Sequence, residues 1–121
     1  MAYTLLDEKK LCRVYQDTEK VLDKTLAHIV QLLDGEHQTV ATAESCTGGM
    51  VAARLTEVPG ASAVFGCGIV SYNNTVKAEV LGVDPAVIER YTAVSAETAA
   101  AMAKAVRRRS GADIGIGVTG N

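Results

Sequence analysis

A serine in a tight turn that contains two glycines is the first candidate for chemistry in this sequence. Ser45 opens the segment Ser-Cys-Thr-Gly-Gly, which lies between a predicted strand and a predicted helix. Backbone N–H groups at the start of a helix can hold an oxyanion or a phosphate, and glycines allow a substrate to approach the backbone closely. The same pattern is also typical of a simple helix cap. Ser45 is therefore a candidate nucleophile that needs a second group.

That second group is a base, because a serine hydroxyl must lose its proton to become a nucleophile. His28 and His37 fall in an amphipathic helical stretch and in a polar loop, so a Ser–His pair has little support. Lys77 is the better candidate, since it follows closely on Asn73 or Asn74, either of which can cap a short helix. In the first turn, the helix dipole and partial burial would both lower the lysine pKa. The alternative is an ordinary solvated lysine.

Four further side chains invite a functional reading and a structural one. Tyr72 can donate a hydrogen bond at a strand end, or be a half-buried tyrosine whose hydroxyl reaches water. Thr119 can donate to the substrate or to the candidate lysine, or simply close a strand. Cys46 is a rival nucleophile, although a small buried cysteine is the simpler role. Glu44 most simply orders the turn.

The elements that must position these residues alternate between helices and strands. Apolar periodicity predicts a first helix that begins at a cap on Asp17 or Thr18. Gly35 is expected to follow its end as the left-handed residue that stops it. The later elements are predicted as a strand over 39–44, a helix over 50–55, a strand over 63–72 with close approach at Gly66 and Gly68, a short helix stopped at Gly82, a helix started by Asp84-Pro85, a helix over 96–109 between Ser95 and Gly111, and a strand over 112–118.

This alternation predicts an α/β fold, a three-layer α/β/α sandwich with a mostly parallel sheet. Ligands of such sheets bind beyond the carboxyl ends of the strands. The segments 45–49, 72–77 and 119–121 all fall at predicted strand ends. We therefore expect the candidate side chains to gather at one edge of the sheet.

Composition restricts the class of protein. The chain has 121 residues, a hydrophobic fraction of 48%, and a net charge of -2, so one domain without a nucleic-acid surface is expected. Its three cysteines, Cys12, Cys46 and Cys67, form neither a disulfide framework nor a zinc pattern. The first residues lack the apolar run of a signal peptide or membrane span. We expect a cytoplasmic protein that needs no metal or other cofactor and has no membrane partner.

Four segments of the chain occur together in an informative order. They are Thr42–Gly49 (TAESCTGG), Gly66–Val83, Ala93–Ala103 and Gly117–Asn121. Together they resemble the C-terminal domain of the competence- and damage-inducible protein CinA, a domain that also occurs alone as nicotinamide-nucleotide amidase. The resemblance covers residues 17–121 and leaves residues 1–16 as an N-terminal extension.

The resemblance implies a reaction and its residues. Nicotinamide mononucleotide would be hydrolysed to nicotinic acid mononucleotide and ammonia, a step in pyridine-nucleotide recycling, by a metal-free Ser/Lys amidohydrolase. The family's catalytic serine falls on Ser45 and its lysine on Lys77, with Tyr72 and Thr119 as further catalytic positions. The residues expected to bind the oxyanion or the substrate are Cys46, Thr47, Gly48, Gly49, Asn74 and Gly120.

Three further expectations follow from the resemblance. Family domains continue beyond the last segment, so the domain over 17–121 is expected to be incomplete at its C-terminus, with an exposed sheet edge and apolar surface. The partners expected are a small-molecule nucleotide substrate and further copies of the chain, in a homodimer or higher oligomer. The alternative function is a catalytically inactive nucleotide-binding or regulatory module of a competence/damage-inducible protein.

Overall fold

Helices and strands alternate along residues 8–121, the part of the chain that the computed structural model describes. In these residues five α-helices and three strands form an α/β fold. Their bounds are α1 Glu8–Gly35, β1 Val40–Glu44, α2 Met50–Thr56, β2 Phe65–Val70, α3 Asn74–Val76, α4 Pro85–Tyr91, α5 Ala96–Ser110 and β3 Ile114–Val118. A 3₁₀ turn, Ala61–Ala63, precedes β2, and a π-helical turn, Lys77–Leu81, continues α3.

The sheet is parallel, as the sequence predicts. Its strand order is β2-β1-β3, and β1 pairs in parallel with both neighbours. All five residues of β1 are buried, which is typical of the central strand of a parallel sheet with helices on both faces. The carboxyl ends of the three strands consequently lie together.

Helix α5 covers one face of the sheet at short range, because glycines in β3 leave room for its backbone. A Cβ atom on Gly115 or Gly117 would collide with the carbonyl oxygens of Ala103 or Ala99. Because side chains alternate along a strand, the apolar residues of β3 lie on its other side. The buried core on this side consists of Ala41, Ala43, Leu81, Val83, Met102, Ala105 and Val106.

Helix α2 covers the opposite face, which completes the predicted three layers. A Cβ atom on Gly68 would lie 3.2 Å from Cβ of Ala52 in α2 and 2.9 Å from Oγ1 of Thr42 in β1. Gly68 thus shows the close approach that was predicted for two glycines of β2. At Gly66 the prediction is wrong, because an added Cβ there would meet nothing within 4 Å.

Helix α1 differs from its prediction at both ends. It begins at Glu8 rather than at Asp17, because the intervening residues are good helix formers without Gly or Pro. Neither predicted cap acts: Thr18 lies inside the helix, where its hydroxyl donates to the Val14 carbonyl at 2.9 Å. Gly35 is the last helical residue, and the left-handed residue is His37, with φ 53°. No helix within residues 8–121 is long and apolar enough to cross a membrane.

The other local signals are mostly confirmed. Asp84 and Ser95 cap α4 and α5 through their side chains, and Asn73 rather than Asn74 caps α3. The left-handed residues Gly82 and Gly111 end the π-helical turn and α5. Both later strands are shorter than predicted, since the 3₁₀ turn precedes β2 and irregular backbone precedes β3.

Candidate active site

Ser45 is held at the carboxyl end of the central strand by both neighbouring strands. Its N–H donates to the Val118 carbonyl of β3 at 3.0 Å, and its carbonyl accepts from the Gly48 N–H at 3.0 Å. On the other side the Ser71 N–H, just beyond β2, donates to the Glu44 carbonyl at 2.8 Å. Ser45 is only 6% exposed. The backbone of the candidate nucleophile is thus positioned from both sides.

The carboxylate of Glu44 orders the turn after Ser45, as the sequence predicts. It accepts hydrogen bonds from the Thr47 hydroxyl at 2.7 Å, the Val51 N–H at 2.8 Å and the Ala52 N–H at 3.0 Å. Burial would raise the pKa of Glu44, but these hydrogen bonds outweigh it and hold the pKa below its usual range. A carboxylate of the protein itself therefore occupies the N-terminus of α2.

This capping narrows the set of donors that are free to bind an oxyanion. The Gly48 N–H already donates to the serine carbonyl, and the Gly49 N–H is directed at the capping carboxylate. Within residues 8–121, the N–H groups of Cys46 and Thr47 have no hydrogen-bond partner. Of the four N–H groups in the turn 46–49, only these two are free to donate to an oxyanion, because the other two are already paired.

Lys77 lies beside the serine and is almost fully buried. Its Nζ is 3.3 Å from Ser45 Oγ, and the residue is 2% exposed. Burial lowers the pKa of Lys77 from its usual range, against a smaller coulombic effect of the Cys46 sulfur. Its N–H donates to the Asn73 carbonyl at 3.0 Å, and its carbonyl accepts from the Val83 N–H at 2.8 Å across the π-helical turn. Both the backbone N–H and the backbone carbonyl of Lys77 are therefore held by hydrogen bonds.

The serine and the lysine open into a cleft of about 320 Å³ at the carboxyl ends of the strands. Its lining residues are Ser45, Cys46, Tyr72, Asn74, Lys77, Ala93, Val94, Thr119, Gly120 and Asn121. A larger groove of about 520 Å³ lies elsewhere, between α4 and α5, and contains neither the serine nor the lysine. The smaller cleft is the candidate site, because it holds the paired nucleophile and base.

Tyr72, Asn74 and Thr119 line the cleft, as the sequence predicts, but their hydrogen bonds differ from those expected. Tyr72 is 74% exposed and its hydroxyl has no partner in the described part of the chain. Asn74 lines the cleft, and its side chain is available because Asn73 caps the helix. The Thr119 hydroxyl donates to the Ala93 carbonyl at 2.7 Å rather than to the lysine. Its suggested contact with the lysine is therefore not formed.

The remaining predicted residues divide into two groups. Cys46 and Gly120 lie together in the cleft, where a Cβ on Gly120 would come 3.2 Å from the Cys46 sulfur. Thr47 and the two glycines after it do not line the cleft. Sequence reasoning missed Ala93 and Val94, whose only signal was their place in the segment Ala93–Ala103.

Comparisons with known proteins give the same family throughout. The family described as CinA C-terminal domain matches residues 22–121. A putative competence-damage inducible protein of Acetivibrio thermocellus is 52% identical over 99 residues, which are 81% of this chain and 24% of that protein. A CinA-like protein of Chlorobaculum tepidum is 49% identical over 107 residues, 88% of this chain and 25% of that protein. The chain spans about a quarter of the length of these relatives.

Solved structures with the same fold carry related names. A competence-damaged protein (CinA) superfamily protein of Escherichia coli superposes with a TM-score of 0.74 at 29% identity, over 93% of this chain and 59% of that chain. The competence/damage inducible protein CihA of Agrobacterium tumefaciens superposes with a TM-score of 0.71 at 36% identity, over 77% of this chain and 55% of that chain. The α/β fold of the chain is thus shared with these proteins.

Proposed function

We infer the function from the premise that this chain belongs to the CinA C-terminal domain family, which matches residues 22–121. We propose that it is an amidohydrolase that converts nicotinamide mononucleotide to nicotinic acid mononucleotide and ammonia. The observation that carries the proposal is the distance of 3.3 Å between Lys77 Nζ and Ser45 Oγ, with both side chains buried. A buried amine of lowered pKa is suited to accept a proton from a serine hydroxyl.

The first half of the reaction forms an acyl-enzyme. Neutral Lys77 accepts the proton of Ser45, and the serine oxygen forms a bond to the carboxamide carbon. The electron pair of the carbonyl moves to its oxygen, and the unpaired N–H of Cys46, a residue that lines the cleft, stabilises that oxyanion. Protonated Lys77 then gives its proton to the amide nitrogen, the C–N bond breaks, and ammonia leaves.

The second half regenerates the enzyme by the same groups. Neutral Lys77 accepts a proton from a water molecule, whose oxygen attacks the acyl carbon. The second tetrahedral intermediate is stabilised by the same N–H group, and its collapse breaks the bond to Ser45, which recovers its proton from Lys77. The product is a carboxylic acid, so the net change is the addition of water across the amide bond.

The size and the lining of the cleft bear on how it would hold a nucleotide. Its volume of about 320 Å³ is near the lower end of the usual range for ligand sites, roughly 300–1,000 Å³. Lys77 is the one lysine or arginine among the lining residues in the described range, and the mechanism uses it as the base. Among the described residues, Asn74 and the exposed Tyr72 are neutral donors that could contact the phosphate.

The alternative is a nucleotide-binding or regulatory module without turnover. It is favoured by the name of the Acetivibrio thermocellus relative, which refers to competence and damage and does not mention hydrolysis. A module of this kind would bind nicotinamide mononucleotide saturably and release no ammonia. This outcome separates the two proposals.

The test is ammonia release from nicotinamide mononucleotide by the purified chain without added metal. Ser45→Ala and Lys77→Ala should each reduce release to the background rate, with circular dichroism spectra like that of the wild type. Ser62→Ala and Lys104→Ala, at exposed positions outside the cleft, are matched controls that should keep full activity. Undiminished turnover by Ser45→Ala would exclude the proposed nucleophile.

A further inference from the structure

The backbone at Thr92 is strained, and the strain lies next to the candidate site. Thr92 follows the last residue of α4 and has φ 69° and ψ 168°. Glycine occupies this region readily, whereas a β-branched residue does so only when its surroundings hold it there. Something in the structure must therefore maintain this conformation.

Three hydroxyl groups supply that restraint. The Thr98 hydroxyl, which is fully buried, donates to the Thr92 carbonyl at 2.6 Å. The Ser95 hydroxyl lies within donating distance of the Thr92 carbonyl at 3.2 Å and of Thr98 Oγ1 at 3.0 Å, and it accepts from the Thr98 N–H at 3.1 Å. The Thr119 hydroxyl donates to the next carbonyl, that of Ala93, at 2.7 Å. Two successive carbonyls are thus held by side chains of α5 and of the segment after β3.

Val94 follows the two restrained residues and lies in the cleft. Its side chain is 45% exposed and lines the same cleft as Ser45 and Lys77. The mechanism assigns it no chemical role. An apolar side chain that remains half exposed in a catalytic cleft is a natural contact for an apolar part of the substrate. The exposed ring of Tyr72 lines the same cleft.

We propose that Val94 is a specificity-determining residue that contacts the flat ring bearing the carboxamide, and that Thr92 and Thr98 are positioning residues that keep it in the cleft. The proposal rests on the proposed amidase function. It assigns the site to carboxamides of aromatic acids and disfavours small aliphatic amides, which would leave Val94 uncovered. The hydroxyl of Thr98 acts by stabilising the strained turn and does not touch the substrate.

The contact itself is tested at Val94. Val94→Ala should raise KM for nicotinamide mononucleotide about tenfold, with kcat within about twofold of the wild type, because only apolar binding contact is lost. Val94→Thr keeps the shape but replaces a methyl group with a hydroxyl, so it should also raise KM. Val94→Ile keeps the apolar contact and should not raise KM. An unchanged KM in Val94→Ala would overturn the assignment.

The positioning role is tested by a rescue. Thr98→Val keeps the shape of the side chain but removes the hydroxyl, and it should raise KM as Val94→Ala does. Thr98→Ser keeps the hydroxyl and should leave KM near that of the wild type. A merely structural Thr98 would lower the melting temperature of Thr98→Val and leave its KM unchanged. That result would overturn the positioning role.

A binding measurement distinguishes failure of this inference from failure of the proposed function. Calorimetry with nicotinamide mononucleotide on Ser45→Ala should give a Kd that rises about tenfold when Val94→Ala or Thr98→Val is added. This result would support the Val94 contact even if the wild type released no ammonia. An equal Kd in all three variants, or no binding to Ser45→Ala, would overturn the contact.

Discussion

The pair of Ser45 and Lys77 is chemically useful only when the lysine is uncharged. From the sequence, two causes of a lowered pKa of Lys77 are expected, the dipole of a short helix and partial burial. In the structure burial is the main cause, and α3 has only three residues before the π-helical turn. The proton acceptor is thus produced by the packing around Lys77, which is 2% exposed.

The activity should therefore rise with pH. The deprotonated form of Lys77 is the active one, so kcat/KM should rise with pH and level off above a pKa that lies below the ordinary value of 10.5. Activity is lost as the pH falls through that pKa. Lys77→Arg keeps its charge and should be inactive at every pH tested. A flat wild-type profile through the neutral and alkaline range would contradict this role.

Glu44 should stabilise the fold in a pH-dependent way. Glu44→Gln weakens the cap of α2 and should lower the free energy of unfolding by about 1–2 kcal/mol at neutral pH. Because the folded-state pKa is lowered from 4.5, this stability is present above 4.5 and is lost as the pH falls through the folded pKa. Urea unfolding across the acidic range measures it. Glu89→Gln, an exposed control, should behave like the wild type; an equally stable Glu44→Gln would refute the cap.

At the scale of elements, the separation between α5 and the sheet depends on two glycines of β3. The alanine-rich surface of α5 lies against Gly115 and Gly117, so that backbone meets backbone with no side chain between them. This contact also fixes the start of α5, where Ser95 and Thr98 hold the turn next to the cleft. Close packing of one helix thus determines the geometry of the site wall.

A methyl group at this contact should be strongly destabilising. Gly117→Ala would force Cβ into the Ala99 carbonyl and should lower the free energy of unfolding by about 3 kcal/mol. Gly66→Ala is the matched control, since it adds the same methyl group to a strand where nothing lies within 4 Å. It should change stability by less than about 0.5 kcal/mol. Equal effects of the two substitutions in thermal melts would contradict the proposed packing.

At the scale of the whole molecule, α1 packs on the body through the buried Val30 and forms ion pairs with Arg54 of α2. Arg54 pairs with Glu19 at 3.3 Å and Asp23 at 2.7 Å, both in α1, and with Glu57 at 2.7 Å. These carboxylates raise the pKa of Arg54 from its usual range, with Asp23 contributing most. The homodimer or higher oligomer and the division of the chain into residues 1–16 and 17–121 stay predictions.

The attachment of α1 should be sensitive to charge. Arg54→Ala removes the cationic partner of Glu19 and Asp23, so the amides of α1 should exchange hydrogen faster while those of β1 are unchanged. High salt should accelerate exchange in the wild-type α1 in the same direction, because it screens the ion pairs. Arg108→Ala, an exposed change on α5, serves as the control. Unchanged exchange in α1 of Arg54→Ala would mean that other contacts hold the helix.

The sequence by itself determined the features that depend on a few neighbouring residues. Asp84, Ser95, Gly82 and Gly111 act at the helix ends where they were predicted, because capping and left-handed backbone need only three or four residues. The alternation of helices and strands, and hence the parallel sheet, follows from patterns of similar length. These patterns also predicted that the candidate side chains lie at strand ends.

Only the tertiary structure decided which groups meet and which are already occupied. Glu44 uses most donors of the turn, and the Thr119 hydroxyl binds the Ala93 carbonyl instead of the lysine. Val94 lines the cleft beside Ser45 and Lys77, next to an Ala93 carbonyl that accepts from Thr119, a residue distant in the chain. The physical reason is that burial and hydrogen-bond pairing are set by residues far apart in sequence, so no short pattern records them.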